Sequence, residues 1–148
     1  MNRIVLTTLA LLVSTTVILS CGEDEAGSEV LTFSAGDYTG IWNSSTGSRT
    51  FSNLKISAKI TEPTPGNFRG SFYISGNFRS CCGGVDDGTI TFTVSDKEIV
   101  DFVWDDTINN CTGTFNGTGI ITSKDAIRIE FTGTDCDGNH TGNLTLSK

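Results

Sequence analysis

The chain has 148 residues, enough for one domain of ordinary size. Ten Lys and Arg stand against 17 Asp and Glu, a formal charge of −7. That balance argues against nucleic acid and against direct adhesion to anionic lipid, both of which need a basic surface.

The first segment differs from the rest. Met1-Asn2-Arg3 is short and basic, and Ile4 to Leu19 is apolar and uncharged. Ile18-Leu19-Ser20-Cys21 follows. Basic, then apolar, then a small residue is the order of a secretory signal. Ile18-Leu19-Ser20-Cys21 resembles the lipobox of bacterial lipoproteins: an aliphatic residue, two small residues, then cysteine. Leu19 is bulkier than that pattern prefers. The resemblance implies cleavage before Cys21 and acylation of its thiol and new amino terminus. Several acyl chains would then hold the protein at a membrane, each buried CH₂ adding about 0.8 kcal/mol. An uncut membrane anchor is the alternative.

Gly22-Glu23-Asp24-Glu25 comes next. Acidic residues there resemble the signal that sends some Gram-negative lipoproteins to the outer face of the outer membrane. A solvated charge run is the plainer account. The expected organisation is a signal peptide over 1–20, an acidic flexible tether over 21–36 and a folded domain over 37–148. The expected address is the outer membrane of a Gram-negative bacterium, by lipid anchor and facing the surface.

The rest of the chain alternates with period two, and no window holds three turns of apolar residues at helical spacing. Strands are expected at about 38–43, 50–60, 67–77, 89–95, 99–104, 111–122, 126–133 and 141–147. In Leu54-Lys55-Ile56-Ser57-Ala58-Lys59-Ile60 the even positions are apolar, as for a strand with one wet face. Short connections make consecutive strands antiparallel neighbours. Eight such strands close into a barrel or fold as a β-sandwich, and closure removes both sheet edges. With Ser123-Lys124-Asp125 as a loop, Ile121 faces Ile127, Gly119 faces Ile129 and Gly117 faces Phe131. Small then lies opposite large on one face, and a one-residue slip loses the match.

Gly40-Ile41-Trp42 opens the first of these strands. G-x-W followed by an eight-strand meander resembles the calycins: lipocalins, fatty-acid-binding proteins and avidins. The resemblance covers 37–148 and implies an up-and-down barrel. In that family the tryptophan plugs the closed end and a basic residue packs over it, so Gly40, Trp42 and Lys148 would be the closure residues. Lipocalins usually carry arginine where Lys148 stands. The family also places the tight turns at the closed end. The loops at Asn43–Ser48, Arg79–Gly88, Asp105–Asn110 and Thr134–His140 would then rim the mouth.

Cys81, Cys82, Cys111 and Cys136 would all lie on that rim. Four cysteines in an oxidising compartment point to two disulfides, with three possible connectivities. A Cys81–Cys82 bridge would close a strained small ring, so each is expected to reach a different loop. Asp86, Asp87, Asp105, Asp106, Asp135 and Asp137 collect there too and make the rim negative. Calcium is the metal such oxygens would take. Asp135-Cys136-Asp137-Gly138-Asn139 has the flavour of a calcium loop, although it lacks the closing glutamate. Turn chemistry accounts for the same residues. Zinc is disfavoured by adjacent cysteines and a single histidine.

No residue set reads as an active site. His140 is the sole histidine and is expected in a loop, and Glu130 and Asp101 are expected on outer faces. The chain is therefore expected not to be an enzyme and to need no cofactor beyond that calcium. The inner face would carry Phe72, Phe92, Phe102, Trp104 and Phe131, a lining for a small apolar ligand if a cavity exists. Nine Phe can equally fill an eight-strand barrel. The competing class is an interaction module that offers its acidic, disulfide-laced rim to a surface protein or glycan.

Overall fold

The computed structural model describes residues 31–74 and 87–148. The signal segment, Cys21, Cys81, Cys82 and Asp86 lie outside the described residues. The eight strands run β1 Gly36–Ser45, β2 Thr50–Thr64, β3 Asn67–Ile74, β4 Gly88–Ser95, β5 Glu98–Asp106, β6 Gly113–Ser123, β7 Ala126–Asp135 and β8 Gly138–Ser147. Each pairs antiparallel with the next, and β1 pairs with β8, so the sheet is a closed up-and-down barrel. The sandwich alternative is thereby excluded.

The β6–β7 register is the expected one: Gly117 opposes Phe131, Gly119 opposes Ile129 and Ile121 opposes Ile127. The turn is shorter than expected, because Ser123 pairs with Ala126 across a register shift after Ile121. Closure at the β1–β8 seam depends on Gly40. A Cβ there would stand 1.8 Å from the Thr145 carbonyl oxygen.

Two bulges correct the simple alternation. In β2, both Phe51 and Leu54 face inward, although they are an odd number of residues apart. Asn53 takes a left-handed φ of 57° between them and donates its N–H to Asn43 Oδ1 at 2.9 Å. In β5, Asp101 likewise takes a left-handed φ of 51° between Ile99 and Phe102, both of which face inward. One extra residue per bulge flips the phase and keeps both apolar side chains inside.

Rings fill the interior. Trp42 of β1 meets Trp104 of β5 across the lumen at 5.0 Å between centroids, and meets Phe115 at 5.0 Å and Phe131 at 4.0 Å. Phe72 stacks on Trp104, and Phe68 stacks on Phe92. Trp42, Phe72 and Trp104 are wholly buried. Aromatic pairs at these separations add about 0.5–1.5 kcal/mol each beyond burial.

The end with the tight turns at 65–66, 96–97 and 124–125 is closed by the chain's own entry segment. Phe33 stacks on Tyr38 and meets Phe68 and Phe92 edge-on. The β6–β7 turn latches it. Asp125 Oδ1 accepts from Ser34 N at 3.0 Å and Ser34 Oγ at 2.7 Å, and the Thr32 carbonyl accepts from Asp125 N at 2.9 Å. Burial, with Asp125 beside it, pushes the Tyr38 phenol up to about 12, which keeps it a proton donor. Residues 31–36 thus belong to the barrel and not to the tether, so the domain starts before residue 37.

This corrects the expected closure. Trp42 lies toward the opposite end, beside Ser44 and His140. Lys148 packs over the Tyr38 ring at 5.4 Å and lies 3.6 Å from Asp125. The aromatic plug comes from Phe33 and Tyr38, because the G-x-W stretch sits further along β1 than the closure needs.

Phe33→Ala is expected to cost about 3 kcal/mol in urea unfolding. A chain starting at residue 37 should lose at least as much. Equal stability of chains starting at 31 and at 37 would show that the segment is no plug. The Ser34 hydrogen bonds, helped by the Lys148 charge, hold the Asp125 carboxyl below its usual range against the effect of burial. Its contribution is therefore present above the ordinary carboxylate pKa and is lost as pH falls through the depressed value. Asp125→Asn should flatten that acid limb.

Candidate functional site: the acidic rim

The other end carries the β1–β2 loop at 46–49, the β5–β6 loop at 107–112 and the β7–β8 turn at 136–137. The last was expected to be a long loop over Thr134–His140. Instead Asp135 pairs directly with Gly138, Thr134 with Asn139 and Gly133 with His140. Asp135 Oδ1 accepts from Asp137 N at 2.7 Å, and Gly138 takes φ 115°. The D-x-D-G sequence is thus a tight turn closed by an aspartate side chain.

The short turn moves His140 from solvent into the barrel, where it is 2% exposed. Its Nδ1 lies 3.1 Å from Ser44 Oγ and its Nε2 2.9 Å from Asp135 Oδ1. Ser44 Oγ accepts from Trp42 Nε1 at 2.9 Å. One proton arrangement satisfies the chain: Trp42 N–H to Ser44, Ser44 O–H to Nδ1, and Nε2–H to Asp135. Phe51 and Phe115 flank the imidazole at 5.3 and 5.5 Å. Serine, histidine and aspartate are the residue types of a nucleophilic triad. Here Ser44 is 5% exposed and its oxygen already accepts the indole proton. The geometry holds Trp42 and Asp135 in place. The sequence did carry a signal for it, since His140 is in phase with Leu144 and Leu146 along β8.

Cys111 and Cys136 form a disulfide that ties the β5–β6 loop to the β7–β8 turn. For a separation of 25 residues, loop closure contributes about 3 kcal/mol. The pairing corrects the expectation that Cys81 and Cys82 each reach a different loop, because Cys111 and Cys136 take each other.

The six rim carboxylates divide. Asp105 is exposed and accepts from Thr114 Oγ1 at 2.9 Å. Asp137 pairs with Arg49. Asp87 and Asp106 are 1% and 3% exposed, and the Asp135 side chain is wholly buried. Asp87 Oδ2 accepts from Ile74 N at 2.6 Å, and Asp106 Oδ1 accepts from Ile108 N at 2.8 Å. Asp86 lies outside the described residues. Burial pushes the Asp106 carboxyl up to about 7, against the Ile108 hydrogen bond and with help from the charges of Asp87 and Asp135.

Phe72, Phe92, Phe102, Trp104 and Phe131 are all buried. They pack against one another or against Trp42. They belong to the buried core of the barrel. Glu130 and Asp101 are exposed, as expected.

No protein-family model matches the chain, and neither a curated protein nor a solved structure matches it.

In metal-free buffer, Asp106 should make the fold less stable as pH rises. Its folded pKa lies above its unfolded value, so the folded state binds the extra proton, and stability falls between about pH 4 and 7. Asp106→Asn keeps an acceptor for Ile108 and removes the charge. It should flatten that fall in thermal melts, and an unchanged pH profile would refute the assignment.

Proposed function

We propose that this chain is a lipid-anchored envelope protein of a Gram-negative bacterium, and that its barrel is an interaction module working through the acidic rim. The observation that carries the reading is the polarity of the barrel. The chain enters at the plug end, where Thr32, Phe33 and Ser34 are fastened to Asp125 and Tyr38. A lipid on Cys21 would tether that end, ten residues before Leu31 and within about 35 Å of chain. The rim then faces away from the membrane. Its loops are braced by the Cys111–Cys136 bridge and the Arg49–Asp137 pair, so it can present a surface at little cost in ordering. The formal charge without Arg3 is −8, so a basic face on a surface protein is the complementary partner. Lumen-filling aromatic contacts favour this reading over carriage of a small apolar ligand.

The test expresses the full chain in a Gram-negative host. Palmitate should label it and hold it in the membrane fraction, and Cys21→Ala should abolish both. Continued labelling of Cys21→Ala would overturn the anchor. Native mass spectrometry of the delipidated protein should give a bare protein mass. A discrete apolar mass removed by organic extraction would replace the module with a carrier.

A further inference from the structure

We propose that Asp106 and Asp135, with Asp87 beside them, hold a hard divalent cation, calcium foremost, just inside the disulfide-braced rim. The proposal starts from two oxygens. Asp106 Oδ2 and Asp135 Oδ2 are buried and have no hydrogen-bond partner. Buried polar atoms are nearly always satisfied, and an ionised carboxylate is among the costliest to leave bare.

The two acids stand on either side of β6, each beside Gly113. Asp106 ends β5 and sits directly opposite Gly113 of β6. A Cβ on Gly113 would stand 2.7 Å from the Asp135 Cβ. A side chain on Gly113 would crowd Asp135, the Thr134 carbonyl and the Phe115 ring, so glycine leaves Asp135 room beside the position paired with Asp106. Asp87 adjoins Gly88, which pairs with Asp106 on the other side. Each acid also has one oxygen fixed. Asp106 Oδ1 is held by Ile108 N, Asp135 Oδ1 by His140 and Asp137 N, and Asp87 Oδ2 by Ile74 N. The carboxylates are thus pre-oriented, with an oxygen of Asp106 and one of Asp135 left over.

Charge and donor type name the ligand. Among the described residues, His140 meets Asp135 through Oδ1 and Arg49 meets Asp137, while Oδ2 of Asp106 and Oδ2 of Asp135 have no hydrogen-bond partner. The donors are oxygens, which select calcium or magnesium over softer metals. Cys111 and Cys136 lie within 4.8 Å of Asp135 and Asp137 but are tied to each other, so they offer no thiolate. Calcium comes first because it tolerates an irregular oxygen set, whereas magnesium demands near-octahedral geometry. This site is distinct from the Asp135–Asn139 loop reading: Asp137 turns outward to Arg49, and Asp105 faces solvent.

The experiment uses the full chain and terbium as a luminescent stand-in for calcium. Trp104 is buried two residues from Asp106 and can sensitise the ion. Terbium emission excited through tryptophan should saturate at one ion per chain and be displaced by calcium. Calcium should also raise the melting temperature relative to chelator. Asp106→Asn should abolish both responses, while Asp105→Asn, on the outer face, keeps them. Asp135→Asn is the weaker probe because that side chain also carries His140 and the turn. Wild-type protein that shows neither response, or a response that survives Asp106→Asn, overturns the proposal and leaves the acids to share protons or water.

Discussion

The seam between β1 and β8 is the constraint on which the other features rest. Gly40 lets β1 approach β8 until a Cβ would touch the Thr145 carbonyl. With the seam closed, Trp42 is aimed across the lumen at Trp104, and β1 and β5 brace each other through their rings. An open sheet would leave these side chains on one face with nothing to meet and two edges free to pair with other chains. Closure turns a row of large side chains into a packed interior, because eight strands leave a lumen just wide enough for side chains to fill.

Closure also makes the two ends unequal. At one end, turns as tight as Pro65-Gly66 bring strands together and Phe33 covers what remains. At the other, the loops are longer, the β7–β8 turn is pinned by a disulfide, and the residues beneath it are polar. The plug end is held by apolar burial and one charged latch. The rim end carries buried aspartates that oppose stability unless a proton or a cation neutralises them. A chain selected for stability alone would place apolar side chains there, so the rim is where a local rule is broken.

Most of the fold was legible because period two is a backbone property. Leu54 to Ile60 alternates cleanly, and the small-to-large match of Gly117 with Phe131 specifies the β6–β7 register that the barrel adopts. What was hidden depended on contacts distant in sequence. Phe33 sits in an acidic, small-residue stretch that reads as tether, and only its meeting with Phe68 and Phe92 makes it core. Asn53 and Asp101 give no signal that they bulge. The six rim aspartates were visible as a group. Which of them turn inward was decided by turn length, because a two-residue turn at 136–137 sends Asp135 and His140 inside together.

That turn links the rim's features into one unit. Asp135 and Cys136 are adjacent, so fixing one fixes the other. The disulfide holds Cys136 to the β5–β6 loop, whose first residues hang from Asp106 through Ile108 N. His140 holds Asp135 from inside, and Ser44 ties His140 to Trp42 and the aromatic core. The position of the two unsatisfied oxygens is therefore set by a disulfide on one side and by the packed lumen on the other. A carboxylate pair that was incidental would relax toward water by a small rotation of its side chains. Here the Oδ1 atom of each side chain is already held, by Ile108 N in Asp106 and by His140 and Asp137 N in Asp135, and that double restraint is what the proposed cation site rests on.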